Sequence, residues 1–209
     1  MIKLICFDMD GVIFDSVNFW LEVHKAFGTL EQGKILTEKY LHTDYERLIE
    51  EVIIKLWKGK DSYPYLNLIN SLKYMEGASE LFKKVNENGY LKVIITGGAI
   101  EAARRVQNDF GIDHIYANEL VIKDGKISGE FVWPVGAGNE KKAQIIKHLC
   151  EDLGIALEDV VYIGDSDADS EAFKIVGKSI AFNSSSDKLK RVAKFVVESN
   201  NLSDVLEHL

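Results

Sequence analysis

The amino-acid sequence predicts an α/β protein, a parallel sheet with helices on both faces and a small α-helical cap inserted after the first strand. Three observations carry that prediction. Short apolar runs at residues 2–7, 91–95 and 160–163 each stop at aspartate, threonine or glycine. Amphipathic stretches, such as residues 78–88 and 99–110, lie between them, and residues 15–75 keep helical spacing without any comparable strand run. Apolar runs that alternate with helical stretches are the pattern of parallel strands joined by crossovers. Ligands of such sheets gather where the strands end.

The first run, Ile2-Lys3-Leu4-Ile5-Cys6-Phe7, opens into Asp8-Met9-Asp10-Gly11, a buried strand followed by a glycine turn. Tyr45, Leu48, Ile49, Val52, Ile53 and Leu56 recur at helical spacing within the cap, and Gly59-Lys60-Asp61-Ser62-Tyr63-Pro64 reads as an exposed turn between cap helices. The second run ends in Thr96-Gly97-Gly98 and the third in Gly164-Asp165. Glu119-Leu120-Val121-Ile122 and Lys126-Ile127-Ser128-Gly129 flank Lys123-Asp124-Gly125, a hairpin signal. With 209 residues, the expectation is one core domain, 1–14 and 77–209, carrying the helical cap at 15–76.

A formal net charge of −8 argues against a nucleic-acid partner or an anionic membrane surface, either of which calls for a basic face. A phosphorylated substrate would then have to be attracted locally, by a metal and a placed lysine. Cys6 and Cys150 form no disulfide framework or zinc spacing, and the five histidines show no metal spacing. The apolar start of the chain is too short for a signal peptide or membrane span, so a cytoplasmic location is expected.

Four polar groups carry the chemistry. Asp8 and Asp10 follow the first strand, one suited to attack phosphorus and the other to move a proton, although Asp-x-Asp-Gly also suits a turn with a loose cation site. Thr96 and Gly97 offer a hydroxyl and open backbone N–H groups to phosphate oxygens; the alternative is Thr96 as a plain helix N-cap. Lys141 and Lys142 start a helical run, where the macrodipole disfavours cations, so one of them has a reason beyond helix formation; a solvated pair is the competing reading. Asp165, Asp167 and Asp169 crowd the end of the third strand, an arrangement that suits Mg²⁺ and that an acidic helix start would also produce.

In this order, Asp8-Met9-Asp10-Gly11-Val12, Thr96, Lys142 or Lys141, and Gly164-Asp165 through Asp169, the chain resembles the haloacid dehalogenase superfamily. Glu76-Gly77-Ala78, Ala117-Asn118-Glu119-Leu120 and Lys123-Asp124-Gly125-Lys126 with Gly129 are similar to its phosphoserine phosphatase branch. The resemblance implies a Rossmann-like core and a Mg²⁺-dependent phosphomonoester hydrolase working through an aspartyl-phosphate on a small phosphorylated metabolite. It makes Asp8 the nucleophile, Asp10 the acid/base, and Thr96, Gly97 and Lys142 the phosphate holders. Asp165 and Asp169, with the Asp8 carboxylate and the Asp10 carbonyl, become the metal set. Lys142 is preferred because Ile145, Ile146, Leu149 and Cys150 then take the apolar phase of the helix. A phosphotransferase with the same intermediate, or a binding protein that keeps only the fold, are the alternatives.

The chain departs from that branch where the branch reads an amino acid. Val17 stands at the position of its glutamate, and its arginine falls near Ile53 or Ile54, so phosphoserine is expected to be a poor substrate. Glu22, Glu46 and Arg47 are the cap charges able to stand in for them. Ala168 and Ser166 replace the usual asparagine and glycine of the last motif. Phe19, Trp20, Tyr40, Tyr45 and Trp57 serve either as cap packing or as walls of a less polar leaving-group pocket.

Overall fold

Leu4, Ile5, Cys6 and Phe7 are all completely buried, as a strand covered on both faces requires. In the computed structural model, which describes residues 2–16 and 18–209, they form β1 (Leu4–Phe7) at the middle of a sheet. Among the described residues the other strands are β2 (Leu91–Ala99), β3 (His114–Lys123), β4 (Lys126–Val132), β5 (Val160–Gly164), β6 (Lys178–Phe182) and β7 (Phe195–Val197). Their order is β4-β3-β2-β1-β5-β6-β7, and only the β3/β4 pair is antiparallel. The chain builds outward from β1 through β2 and β3, then returns to its other side with β5. That reversal leaves a crevice beyond the carboxyl ends of β1, β2 and β5, where α/β sheets bind ligands.

The period-two alternation of β1 supplies both layers. Ile5 and Phe7 join one core with Leu81 and Phe82 of α5 (Ala78–Glu87) and Ala102 and Val106 of α6 (Ile100–Phe110). Leu4 and Cys6 join the other with Ile146 and Leu149 of α7 (Glu140–Leu153) and Phe173 of α8 (Ser170–Ile175). Each of the valine, leucine, isoleucine and phenylalanine side chains among them contributes about 1.5–3 kcal/mol when fully buried. Helices therefore cover both faces, as the sequence predicts. The hairpin is also present: Asp124 and Gly125 both have positive φ, 51° and 73°, the conformation that a two-residue turn needs to match strand twist.

Between β1 and α5 lie α1 (Phe19–Ala26), α2 (Leu30–Tyr40), α3 (Tyr45–Ile49), a π-helical stretch Glu50–Trp57 and α4 (Tyr63–Ser71). Asn18 caps α1 by accepting from Leu21 N (3.2 Å), and Asp44 caps α3 by accepting from Arg47 N (2.9 Å). The stretch at 59–64 is exposed at Gly59, Asp61 and Tyr63, as expected, but it is not a free turn. Gly59 N donates to Ile127 O (2.8 Å), Ile127 N to Lys60 O (2.9 Å), and Ser62 N to Gly125 O (2.9 Å), so these residues dock on the hairpin and Ser62 is buried. Tyr65 donates to Glu101 (2.6 Å) and Arg105 donates to the carbonyls of Ile69 and Leu72 (2.9 Å each), which fastens α4 to α6.

Candidate active site

Asp8 follows β1 directly, and its N–H donates to Ile163 O (2.9 Å), continuing the β1/β5 ladder by one residue. Its side chain is thereby held at the sheet edge. Asp8 Oδ1 accepts from Met9 N (2.7 Å), and Oδ2 lies 2.9 Å from Lys142 Nζ. Lys142, in the first turn of α7, is only 2% exposed and reaches Asp169 Oδ1 as well, at 2.6 Å. Lys141 is exposed. The structure thus separates the two lysines, one within the carboxylates and the other in solvent.

Asp169 is completely buried with both carboxylate oxygens engaged. Oδ1 accepts from Lys142 and from Tyr162 OH (2.9 Å), while Oδ2 accepts from the N–H groups of Asp165 and Ser166 (3.2 Å each) and from Ser166 Oγ (3.4 Å). It holds the lysine and the loop after β5 in one arrangement. Asp165, on that loop, approaches Gly11: a Cβ there would collide with the Asp165 carboxylate, and Gly11 has φ +77°, so both space and backbone call for glycine. Gly98 serves Asp10 similarly, since a Cβ would lie 2.7 Å from Asp10 Oδ2.

Carboxylate oxygens of Asp8, Asp165 and Asp169 all lie within 4.8 Å of one another. With Asp10, four acidic groups surround the Lys142 ammonium. Burial, helped by Asp8, pushes Asp10 up to about 8. Burial and then Asp8 push Asp165 to about 8. Burial also raises Asp8 against the pull of Lys142, whereas burial would discharge Lys142 but is outweighed by Asp169 and Asp8. Asp10 Oδ1 is buried without a hydrogen-bond partner among the described residues. This excess of hard, anionic oxygen fits a hard divalent cation.

Thr96 and Gly97, at the end of β2, line the same cavity of about 630 Å³ as Asp8, Asp10, Lys142 and Asp165. Thr96 is not an N-cap: α6 begins at Ile100, and Thr96 Oγ1 accepts from Gly98 N (2.9 Å), leaving its proton to donate. The site residues expected from the sequence therefore meet at one cavity, with Asp169 buried behind its wall and bonded to Lys142. Val17 lies outside the described residues. Ile53 is buried and Ile54 is exposed.

Two contributors carry no assigned role in the sequence analysis. Asn118, on β3 and fully buried, donates to the carbonyls of Gly97 (2.9 Å) and Gly136 (3.0 Å) and accepts from Val135 N (3.3 Å) and Gly136 N (3.1 Å). It positions the Thr96-Gly97 turn against the loop before α7. Ser184 donates to the Asp165 carbonyl and Ser186 to Asp167, so the Ser184-Ser185-Ser186 tract braces the acidic loop. An asparagine within the strand run Ile115-Tyr116-Ala117-Asn118-Glu119-Leu120 is the available sequence signal for the first; serine composition alone signals nothing for the second.

An aspartate at a strand end, held by a buried lysine in a cavity with an anion-binding turn and an acidic cluster, defines a phosphoryl-handling site. Comparison with known proteins agrees: residues 5–174 match the model of the haloacid dehalogenase-like hydrolases, and the chain belongs to that family. It is 29% identical to a phosphoserine phosphatase of Methanocaldococcus jannaschii, across 99% of this chain and 97% of that one. With a phosphoserine phosphatase of Archaeoglobus fulgidus it shares 30% identity over 96% of its length, spanning 58% of that longer protein. A solved phosphoserine phosphatase, described as a phospho-aspartyl intermediate analogue, superimposes with a TM-score of 0.86 at 28% identity, covering 100% of this chain and 99% of that one.

Proposed function

We propose that the chain, a phosphatase of the haloacid dehalogenase-like family, hydrolyses a small phosphomonoester with Asp8 as nucleophile. The observation that carries this reading is the Asp8 carboxylate itself, fixed by Met9 N and Lys142 at the mouth of the Thr96-Gly97 turn. Asp8 Oδ forms a bond to phosphorus as the ester P–O bond breaks, and Asp10 gives its proton to the departing oxygen. Burial, and then the neighbouring Asp8 charge, favour the protonated form of Asp10. Water then attacks the aspartyl-phosphate, Asp10 takes the proton back, and phosphate leaves as the bond to Asp8 breaks. Thr96 Oγ, the Gly97 N–H and Lys142 hold the phosphoryl oxygens. In this reading Asp169 fixes Lys142 and the Asp165 loop.

Mg²⁺ suits the cluster: the carboxylates of Asp8, Asp165 and Asp169 and the backbone carbonyl of Asp10 are the groups that would hold it, and it would supply positive charge to the phosphoryl group. Residues 15–76 act as the cap and 1–14 with 77–209 as the catalytic core. No helix among the described residues is long and apolar enough to cross a membrane, and the net charge of −8 supports a cytoplasmic enzyme without a nucleic-acid partner. Nothing favours acceptor transfer or a fold without turnover, and the relatives are named as phosphatases. Hydrolysis of an aryl phosphate that needs Mg²⁺, with transient label on Asp8 and neither in Asp8→Asn, is the expected result. Label on a serine or histidine refutes the scheme.

A further inference from the structure

The helical cap contains a second cavity, of about 150 Å³, whose walls include Trp20, Leu48, Val52, Ile53, Trp57 and Phe131. It adjoins the catalytic cavity, because Asn18, Trp20, Leu41 and Tyr45 line both. Among the described residues, no aspartate, glutamate, lysine or arginine lines it. His24 does, but burial holds that imidazole down at about 4, in the neutral form. Two ring nitrogens of its wall are already used: His24 Nδ1 lies 2.8 Å from Thr29 Oγ1, and Trp57 Nε1 donates to the same hydroxyl (3.1 Å), which leaves Asn18, Thr37 and the Tyr45 hydroxyl as the uncharged polar groups of the lining. The π-helical turn, bonded i to i+5 as in Lys58 N to Ile53 O (2.8 Å), presents Val52 and Trp57 to the cavity together.

The charges of the cap point elsewhere. Arg47 pairs with Glu50 (2.8 Å) and with the mostly buried Glu51 (2.5 Å), and Glu22 faces Lys25 (3.5 Å) on exposed surface; none of them, nor exposed Glu46, lines either cavity. At the outer rim of the catalytic cavity Asp167, Asp187 and Lys188 are the available charges, with Lys188 3.9 Å from Asp167. A desolvated ammonium and carboxylate in the cap cavity would therefore lack partners. An apolar cavity of roughly this size holds one benzene-sized group.

Resting on the phosphatase reading, we propose that the preferred substrate is the phosphate ester of an apolar alcohol, a single ring or a compact branched alkyl group, seated between Trp20, Val52, Trp57 and Phe131. The test compares kcat/KM for benzyl phosphate, naphthylmethyl phosphate, phosphoserine and phosphoethanolamine in the wild type, Val52→Phe and Phe131→Leu. Benzyl phosphate should lead by at least tenfold. Val52→Phe, which fills the cavity, should cut the benzyl-to-phosphoserine ratio at least tenfold. If that variant does not fold, Phe131→Leu decides, because enlarging the cavity should shift preference toward naphthylmethyl phosphate. Turnover that depends on Asp8 but favours phosphoserine, or ratios that neither variant changes, overturns the apolar assignment and leaves the phosphatase intact. Absence of any Asp8-dependent turnover across the panel removes both.

Discussion

Replacing Lys142 by methionine removes the cation that Asp8 and Asp169 share while keeping an unbranched side chain of similar volume. Lys142 is 2% exposed, and the Asp8 and Asp169 side chains 10% and 0%, so water cannot take over the contacts at 2.9 and 2.6 Å. Breaking a buried ion pair by removing one partner costs about 3–5 kcal/mol, chiefly from the charge left uncompensated. For a chain of this size that lowers Tm by roughly 6–20 °C. Thermal unfolding in chelator measures it. Mg²⁺ should then stabilise the variant more than the wild type, since a cation in the cluster replaces part of the missing charge. Adding Asp169→Asn should cost less in the Lys142→Met background than alone, because one of the repelling carboxylates is gone. A Tm within about 2 °C of wild type in chelator would refute the reasoning, for which a buried, charged lysine among carboxylates is indispensable.

His24, held down at about 4 from an ordinary 6.5, makes the unfolded chain bind the proton first, so its contribution to stability is complete above pH 6.5 and is lost as pH falls toward 4. The span corresponds to at most about 3 kcal/mol, and His24→Gln should flatten the pH dependence of denaturant midpoints across that window; an unchanged slope rules the effect out. Gly11→Ala forces an L side chain into φ +77° and against the Asp165 carboxylate, so it should lose about 1 kcal/mol or more and weaken Mg²⁺ activation at least tenfold, read from metal titrations. Asn118→Leu strips Gly136 O, Gly136 N and Val135 N of their side-chain partner and leaves Gly97 O only the Trp20 indole, so it should destabilise by about 1–3 kcal/mol or more, with a fall in kcat if the Thr96-Gly97 turn shifts; an unaltered kcat would separate its structural role from catalysis.

The strands nearest the chemistry were legible because they are buried on both faces and therefore read as apolar runs: residues 2–7, 91–95 and 160–163 correspond to β1, β2 and β5. The outer strands were not. β7 (Phe195–Val197) has three residues with Val196 exposed, and β6 (Lys178–Phe182) begins with a lysine, so neither presents a clean run. The carboxylates were visible because they end apolar strands, where burial opposes charge, and Lys142 because the helix macrodipole opposes a cation in the first turn. The π-helical turn was not, since Leu48, Ile49, Val52 and Ile53 satisfy α-helical spacing equally well, and only tertiary packing selects the wider turn. Likewise the turn at 59–64 has exposed-loop composition, and its docking on β4 depends on backbone groups that composition does not encode.

The carbonyl of Gly97 joins the parts of the site. It accepts from Asn118 Nδ2 (2.9 Å), which belongs to the sheet, and from Trp20 Nε1 (2.8 Å), which belongs to α1 and lines both cavities. A Cβ at Gly97 would lie 2.9 Å from Gly136 O, so the turn is also pressed against the loop leading to Lys142. The Gly97–Gly98 peptide is thus fixed from the sheet and from α1 at once. A movement of α1 away from the sheet would break the indole bond and remove the same ring from the wall of the apolar cavity. A leaving group packed on Trp20 would favour the closed arrangement by contacts it loses on opening, and that arrangement keeps the Thr96-Gly97 turn in place for the phosphoryl group. Recognition of the leaving group and positioning of the phosphate are therefore coupled through one side chain, so Trp20→Phe should raise KM and lower kcat for benzyl phosphate together. A change in KM alone would mean that the ring packs on the substrate without holding the turn.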